Sequence, residues 1–207
     1  MPFPVVIMLS AGGTTLQNLL DRIAAKTLDI DIVHVISNRR DAYGLERAKR
    51  AGIPASVIER KAFASVDEFA AANFAACRQA GAKLVALAGY LQLLRIPEDF
   101  THRVVNIHPS LLPAFGGKGM YGHFVHEAVL KFGAKVSGCT VHFADNEFDH
   151  GPIISQSVVD VLPGDDPDTL AKRVFDAECE AYPQAIAAFA AGKISVSGRL
   201  VRWENPV

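Results

Sequence analysis

The stretch Val5-Val6-Ile7-Met8-Leu9-Ser10-Ala11-Gly12-Gly13-Thr14 joins a short apolar run to a glycine turn. Five consecutive apolar residues that end at a serine are typical of a strand buried on both faces of a parallel sheet. Beyond the turn, apolar residues recur at the spacing of one helix face, at Leu16, Leu19, Leu20 and Ile23. A strand followed at once by an amphipathic helix begins a βαβ unit, so this segment predicts an α/β fold.

Apolar runs continue to alternate with helix-forming stretches along the chain. The predicted strands of the first half span residues 32–36, 55–58, 84–88 and 104–107, and its predicted helices span residues 43–51 and 66–80. Later residues predict strands at 136–143 and 153–161, a long helix at 167–190 and a hairpin at 194–196 and 200–203. Such alternation is typical of a parallel sheet covered by helices, and no linker or repeat divides the 207 residues, so we expect one domain, 1–207.

The composition excludes several classes of protein. Half of the residues are hydrophobic, 21% are charged and the formal net charge is −1, as in an ordinary globular protein. Since no basic excess indicates nucleic acid or an anionic membrane, we expect neither as a partner. The opening apolar run is too short to span a membrane and has no basic leader. Cys77, Cys139 and Cys179 form no C-x-x-C pair, which favours a reducing cytoplasm over a disulfide framework.

The glycine loop at Gly12-Gly13 admits two interpretations. A loop that leads into a helix presents backbone N–H groups and the helix N-terminus, here with Thr14 or Thr15 as the cap, and such loops bind phosphate. Equally, the two glycines could simply permit a tight strand-to-helix turn. The dinucleotide pattern G-x-G-x-x-G is incomplete, although the arginines of Ser37-Asn38-Arg39-Arg40 leave an NADP-binding alternative open.

The segment Asn106-Ile107-His108-Pro109-Ser110-Leu111-Leu112-Pro113 carries the most chemical information. Residues two apart on a strand point to the same side, so Asn106 and His108 would present an amide and an imidazole together. That pair suits a reaction in which a carbonyl oxygen becomes negative, because the amide donates to the oxygen and a protonated imidazole neutralises it. Taken alone, a histidine at a strand end is more often a hydrogen-bonded structural residue.

Two further polar residues depend on long-range contacts that a sequence does not reveal. Asp149 lies in a predicted turn, where an aspartate is usually a local turn former. If it lay near His108, its carboxylate would favour and orient the charged imidazole. His142 alternates with apolar residues in a predicted strand, which favours a satisfied sheet histidine.

The connection 109–122 is the longest irregular stretch, and we expect a mobile lid or substrate-facing loop there, with Lys118 near the substrates. The helix that follows carries His123, His126 and Glu127. Their spacing differs from that of H-E-x-x-H, and no further ligand is implied, so a surface or lid helix is favoured over a metal site.

Taken together, the segment 106–113 with Gly138-Cys139-Thr140-Val141-His142-Phe143 and Asp149-His150-Gly151-Pro152-Ile153-Ile154 resembles the folate-dependent formyltransferase family. Shorter matches at 37–38, 44–48, 87–90 and 181–183 extend the resemblance over nearly the whole chain. The resemblance implies a doubly wound, mostly parallel, Rossmann-like sheet flanked by helices. It places the phosphate or nucleotide in about residues 1–100, and the folate and the catalytic groups in about residues 101–207.

The resemblance also implies a reaction, in which the formyl group of 10-formyltetrahydrofolate passes to the amine of glycinamide ribonucleotide in purine synthesis. No metal is implied, and the chain would act as a monomer or homodimer. Asn106, His108 and Asp149 fall on the family's catalytic positions. The ribonucleotide and its phosphate are expected at Gly12, Gly13, Thr14, Thr15, Pro109 and Glu178. The folate is expected at Leu91, Gln92, Leu93, Leu94, Asp145, Asn146, Glu147 and Phe148. The sequence departs from the family pattern beside the acceptor, at Thr15 and Phe175.

Other reactions remain open at this point. Relatives formylate aminoacyl-tRNA or sugar amines, or hydrolyse formyltetrahydrofolate, and these commonly add a domain that we do not expect in 207 residues. The near-neutral charge also fits tRNA poorly. Outside the enzymes, a phosphate-binding module without catalysis would leave Asn106 and His108 dispensable.

Overall fold

The computed structural model describes residues 2–203. Met1 and residues 204–207, which the prediction of one domain includes, lie outside the described part of the chain. The chain forms two compact units, Met1–Asn106 and Ile107–Val207. The boundary falls inside a strand.

The first unit is a parallel α/β unit. Its strands are β1 (Phe3–Leu9), β2 (Ile30–Ser37), β3 (Ala55–Val57), β4 (Leu84–Leu87) and the first part of β5 (Val104–His108). Its α-helices are α1 (Thr14–Ala24), α2 (Tyr43–Arg50) and α3 (Val66–Gln79). Two short 3₁₀ turns, Arg60–Ala62 and Glu98–Phe100, were not predicted from the sequence.

The strands of the first unit are all parallel, in the order β3-β2-β1-β4-β5. The strand order reverses beside β1, and the carboxyl ends of the strands at such a reversal are where open α/β sheets bind ligands. The loops that follow β1 and β4 meet there, since Ser10 N–H donates to the Gly89 carbonyl at 3.1 Å. Val5 to Leu9 are fully buried, and each such side chain contributes roughly 1.5–3 kcal/mol to folding.

The second unit contains the end of β5, and its strands follow the order β5-β6-β7. Its elements are α4 (His123–Phe132), β6 (Val136–Phe143), β7 (Ile153–Asp160), α5 (Pro167–Ala190), β8 (Ile194–Ser197) and β9 (Leu200–Trp203). Strand β7 is antiparallel to β6, and β8 and β9 form a separate hairpin. Helix α5 begins at a capping box, in which Asp166 accepts from the Thr169 N–H and the Thr169 hydroxyl accepts from the Asp166 N–H.

The prediction of a mostly parallel sheet flanked by helices is confirmed, and the element boundaries agree with the sequence pattern within about two residues. The predicted cap of α1 was wrong. Neither Thr14 nor Thr15 caps this helix, because Gly13 occupies the N-cap position with a left-handed backbone, φ 70°, and the cap has no side-chain hydrogen bond.

Candidate active site

Strand β5 carries Asn106 and His108 at alternate positions, so both side chains lie on the same side of that strand. His108 is the last residue of the strand and is buried, whereas Asn106 is partly exposed. After His108 the chain leaves the sheet through the half-buried Pro109 into the irregular connection that the sequence predicted.

Asp149 lies beside His108. Its Oδ1 is 3.5 Å from His108 Nδ1, and the two side chains are only 10% and 4% exposed. On the other side of the ring, His108 Nε2 donates a hydrogen bond to the Phe115 carbonyl at 2.9 Å. Both ring nitrogens therefore face acceptors, an arrangement that only the doubly protonated imidazolium satisfies fully. Asp149 is therefore close to His108, which is the condition that a functional role of this aspartate requires.

The charge on His108 is set by opposing effects. Burial lowers the pKa of His108, while the Asp149 carboxylate and the Phe115 carbonyl raise it, and the neighbouring His142 lowers it again. Burial prevails, so the pKa lies below its ordinary value and the imidazole of the free protein is mainly neutral at neutral pH. We expected from the sequence that a nearby Asp149 carboxylate would favour the charged imidazole; the carboxylate does raise the pKa of His108, but desolvation outweighs it.

Asp149 is held by its own backbone and by the connecting loop. It has a left-handed backbone, φ 54°, and its Oδ2 accepts a hydrogen bond from the Gly117 N–H at 2.9 Å. Burial raises the pKa of Asp149, but hydrogen bonding with His142, the proximity of His108 and the Gly117 N–H outweigh it, and the pKa lies below its usual value. The carboxylate is therefore ionised at neutral pH and fixed in position.

His142, which the sequence favoured as a satisfied sheet histidine, lies beside Asp149. Its Nε2 lies 3.7 Å from Asp149 Oδ1, and its Nδ1 donates to the Phe143 carbonyl at 2.8 Å. Strand β6 brings it there together with Thr140, whose hydroxyl donates to the Ser110 carbonyl at 2.6 Å. The period-two spacing of Thr140 and His142 was the available signal, since both side chains share one face of β6.

The connection 109–122 is irregular but is held by hydrogen bonds within itself and to the strands of the second unit. Ser110 Oγ donates to the Ala114 carbonyl at 2.6 Å, and Gln156 Nε2 donates to the Leu112 carbonyl at 2.9 Å. Together with the Gly117 contact, these bonds bring residues 115–117 against the histidine and the aspartate. The mobility of this loop as a lid stays a prediction.

In the first unit, the glycine loop is braced by helix α2. A Cβ on Gly13 would lie 2.7 Å from the Gly44 Cα, so only glycine fits there. The Gly44 N–H donates to the Ala11 carbonyl at 3.1 Å, and Arg47 Nε donates to the Gly12 carbonyl at 2.9 Å. Exposed Thr14 and half-buried Thr15 begin helix α1, so the loop offers helix N-terminal amides beside a guanidinium, a combination that suits phosphate.

The residues predicted to contact folate lie in two loops, one in each unit. In the first unit, Leu91 is 39% exposed and Leu94 is buried, and the Leu91 N–H already donates to Ser10 Oγ at 2.9 Å. In the second unit, Asp145 accepts from the Glu147 N–H at 2.9 Å and pairs with His150 at 2.7 Å. These bonds shape the turn that leads to Asp149, and its Asn146, Glu147 and Phe148 are exposed.

Glu178, the residue expected to contact the acceptor, lies on α5. Burial raises its pKa to about 7. A carboxyl group with that pKa changes its charge near neutral pH, as a group that holds an amine or moves a proton would. Phe175 lies almost one turn earlier on the same helix and is partly buried.

Of the two histidines of helix α4, one lies at the surface beside carboxylates and the other is buried. His123 lies 3.1 Å from a Glu127 oxygen and 3.4 Å from an Asp168 oxygen, whereas His126 is buried. Within residues 2–203, no group of three or more histidine, cysteine, aspartate or glutamate side chains is placed to hold a metal ion. In the same range, no helix is both long and apolar enough to cross a membrane.

Comparison with known proteins agrees with this geometry. Residues 4–186 match the formyl transferase family, so the chain belongs to that family. It is 34% identical to the phosphoribosylglycinamide formyltransferase of Haemophilus influenzae, over 95% of this chain and 91% of that protein. The crystal structure of glycinamide ribonucleotide transformylase 1 from Symbiobacterium toebii matches with a TM-score of 0.92 and 42% identity, covering 99% of this chain and 95% of that one.

A relative of a different length also matches. The chain is 41% identical to the trifunctional purine biosynthetic protein adenosine-3 of Drosophila melanogaster over 93% of its own length. It spans only 14% of that protein, so the likeness concerns one part of a larger enzyme.

Proposed function

We propose that this protein transfers the formyl group of 10-formyltetrahydrofolate to the primary amine of glycinamide ribonucleotide. The observation that carries the proposal is the buried contact between His108 and an ionised Asp149, at the end of the strand that also presents Asn106. Family membership supports formyl transfer, and the names of the relatives at 34% and 42% identity support this acceptor.

The reaction begins when the amine nitrogen attacks the formyl carbon and forms a new C–N bond. The carbonyl oxygen then carries a negative charge, which the Asn106 amide stabilises by donating a hydrogen bond. The imidazole of His108 is neutral in the free protein because burial lowers its pKa, and its Nε2 donates to the Phe115 carbonyl. Nδ1 is therefore the ring nitrogen with a free lone pair, and it takes the proton that the attacking amine releases.

Protonated His108 then stabilises the intermediate. The imidazolium neutralises the oxyanion, and Asp149 pairs with the new positive charge at Nδ1. Breakdown of the intermediate breaks the bond between the formyl carbon and N10 of the folate, and the proton passes to N10 directly or through a water. Atoms and charges balance without any metal.

The remaining predicted site residues bind the two substrates. Gly12, Gly13, Thr14 and Thr15 hold the phosphate, while Pro109 and Glu178 contact the rest of the ribonucleotide. The two loops 91–94 and 145–148 hold the folate, and exposed Leu91 and Phe148 offer apolar surface for its flat ring. A cytoplasmic location and a monomeric or homodimeric state complete the proposal. The first accords with three free cysteines.

The direct test measures tetrahydrofolate release by the purified protein with and without glycinamide ribonucleotide, and identifies the formylated product by mass spectrometry. Release that requires the ribonucleotide and yields its formylated form is the expected result. Equal release without any amine would replace the proposal with hydrolysis of formyltetrahydrofolate. Release only with a sugar amine or aminoacyl-tRNA would correct the acceptor.

A further inference from the structure

A depression in the first unit lies at the carboxyl ends of β2 and β3, apart from the glycine loop. It has a volume of about 400 Å³ and is lined by Asn38, Arg39, Arg40, Asp41, Glu59, Arg60 and Lys61. We call it the basic depression. Neither the proposed reaction nor the predicted substrate contacts use any of these residues.

The basic depression has an excess of positive charge, since four cations line it against two carboxylates. Glu59 is shared, because its two oxygens lie 2.8 Å from Arg40 Nε and 3.1 Å from Lys61 Nζ. The Arg40 and Lys61 side chains are 79% and 81% exposed, so these pairs lie in water and are individually weak. A dianion could therefore recruit both cations without any rearrangement of buried groups.

The loop that carries Arg39 and Arg40 is held by hydrogen bonds to the last residue of β2. The buried Ser37 hydroxyl donates to the Arg39 carbonyl at 2.9 Å and accepts from the Arg39 N–H at 3.1 Å. The Ile58 N–H donates to the Ser37 carbonyl at 2.8 Å, which ties this loop to the one that carries Glu59. Arg60 Nη1 donates to the Phe63 carbonyl at 2.8 Å, so this cation is also held in place.

Asn38 adds a feature that charge alone does not explain. Its Oδ1 is buried and has no hydrogen-bond partner among residues 2–203. A buried acceptor without a donor is costly, and native proteins usually satisfy it. A ligand in this depression brings negative charge to the cations, and its hydroxyl or N–H group pairs with Oδ1 once the Asn38 side chain rotates toward the depression, since this oxygen is closed to solvent in the structure.

We propose that the basic depression binds a phosphate ester that carries a neighbouring hydroxyl group, as in a sugar phosphate, with the phosphate on Arg40, Arg60 and Lys61 and the hydroxyl on Asn38. A dianionic phosphate matches the excess of two positive charges better than a single carboxylate does. Guanidinium groups also bind phosphate in a bidentate manner. The site is independent of the glycine loop and does not rest on the formyl transfer reaction.

Ribose 5-phosphate is the probe, and amide chemical shifts of the full-length protein separate the basic depression, at residues 38–41 and 59–61, from the glycine loop at 12–15. We expect saturable shifts at both places in the wild type. In Arg40→Gln/Lys61→Gln, the affinity at residues 38–41 should fall about tenfold or more while the shifts at 12–15 persist. The matched control is Lys131→Gln/Lys172→Gln, which removes two exposed cations of the second unit and should change neither.

The hydroxyl contact has its own test. Methyl phosphate lacks the hydroxyls, so it should bind the wild-type basic depression more weakly than ribose 5-phosphate, and Asn38→Ala should abolish that difference. Shifts confined to 12–15 would overturn the proposal. Equal affinity of the depression for ribose 5-phosphate and methyl phosphate would also overturn it and leave only nonspecific anion binding.

Discussion

Asp149 Oδ1 lies 3.5 Å from His108 Nδ1, while the other oxygen of the same carboxylate accepts from the Gly117 N–H at 2.9 Å. The aspartate thus connects the catalytic histidine of the proposal to the irregular loop that follows it. Its left-handed backbone, φ 54°, directs the carboxylate toward both partners. This contact supports the proposed role of Asp149 in orienting His108.

Replacement Asp149→Asn should lower kcat by on the order of a hundredfold or more, because the amide no longer stabilises an imidazolium at His108. Asparagine tolerates the left-handed conformation, so the fold should persist. Steady-state formyl transfer measures the effect, and Asp99→Asn, at an exposed carboxylate paired with Arg78, is the control. Equal kcat in the two variants would remove Asp149 from the mechanism.

Arg47 should act as a positioning residue for the glycine loop, since its Nε holds the Gly12 carbonyl and its Nη1 holds Gln17 at 2.7 Å. Arg47→Met should raise the KM for the ribonucleotide about tenfold and leave kcat largely unchanged, because a charge-assisted hydrogen bond to the loop is lost. Arg50→Met is a close control, because Arg50 also lies over the Tyr43 ring. An equal rise in KM for both variants would show that the loss of a positive charge, and not the loss of the hydrogen bond to the Gly12 carbonyl, raises the KM.

Gly151 is a steric constraint beside the turn that carries Asp149. A Cβ at this position would lie 1.8 Å from the Phe143 carbonyl oxygen, so Gly151→Ala should lower the free energy of unfolding by about 3 kcal/mol or more. At Gly192 a Cβ meets nothing within 4 Å, and only its left-handed backbone opposes a side chain, so Gly192→Ala should cost about 1 kcal/mol. Urea denaturation compares the two, and equal losses would contradict this assignment.

Glu178 should make stability depend on pH. Its pKa is about 7 in the folded chain against 4.5 for an ordinary glutamate, so the folded state binds more protons between those values. Its contribution to stability is therefore full below about pH 4.5 and is lost as the pH rises through about 7. The melting temperature of Glu178→Gln relative to wild type should rise between pH 5 and pH 8, whereas exposed Glu180→Gln should show no such trend. A flat difference for Glu178→Gln would mean that its carboxyl group is not desolvated.

The elements of this fold were predictable because their signals are local. The apolar run of β1 and the start of α5 at Pro167 are read directly from neighbouring residues. The approach of His142 to Asp149 is different, because it depends on how the turn between β6 and β7 folds back. The Phe115 carbonyl likewise reaches His108 only through the path of the loop 109–122. No local pattern encodes that path, and the desolvation that lowers the pKa of His108 follows from it.

The glycine loop offers a related contrast at Thr14 and Thr15. Their residue types suggested a helix cap, yet Gly13 takes that position because helix α2 approaches too closely for a side chain. A long-range contact with Gly44 therefore overrides a local preference. The motif 106–113 indicated Asn106 and His108 correctly as neighbours on one strand, since that relation is local.

The central claim, that Asn106 and His108 carry formyl transfer, is tested most directly by measuring kcat and the folate Kd for Asn106→Ala and His108→Ala. We predict that kcat falls by on the order of a hundredfold or more in each variant, because one stabilising group for the oxyanion is removed, while the folate Kd stays close to that of the wild type. Turnover near the wild-type rate in either variant would contradict the account.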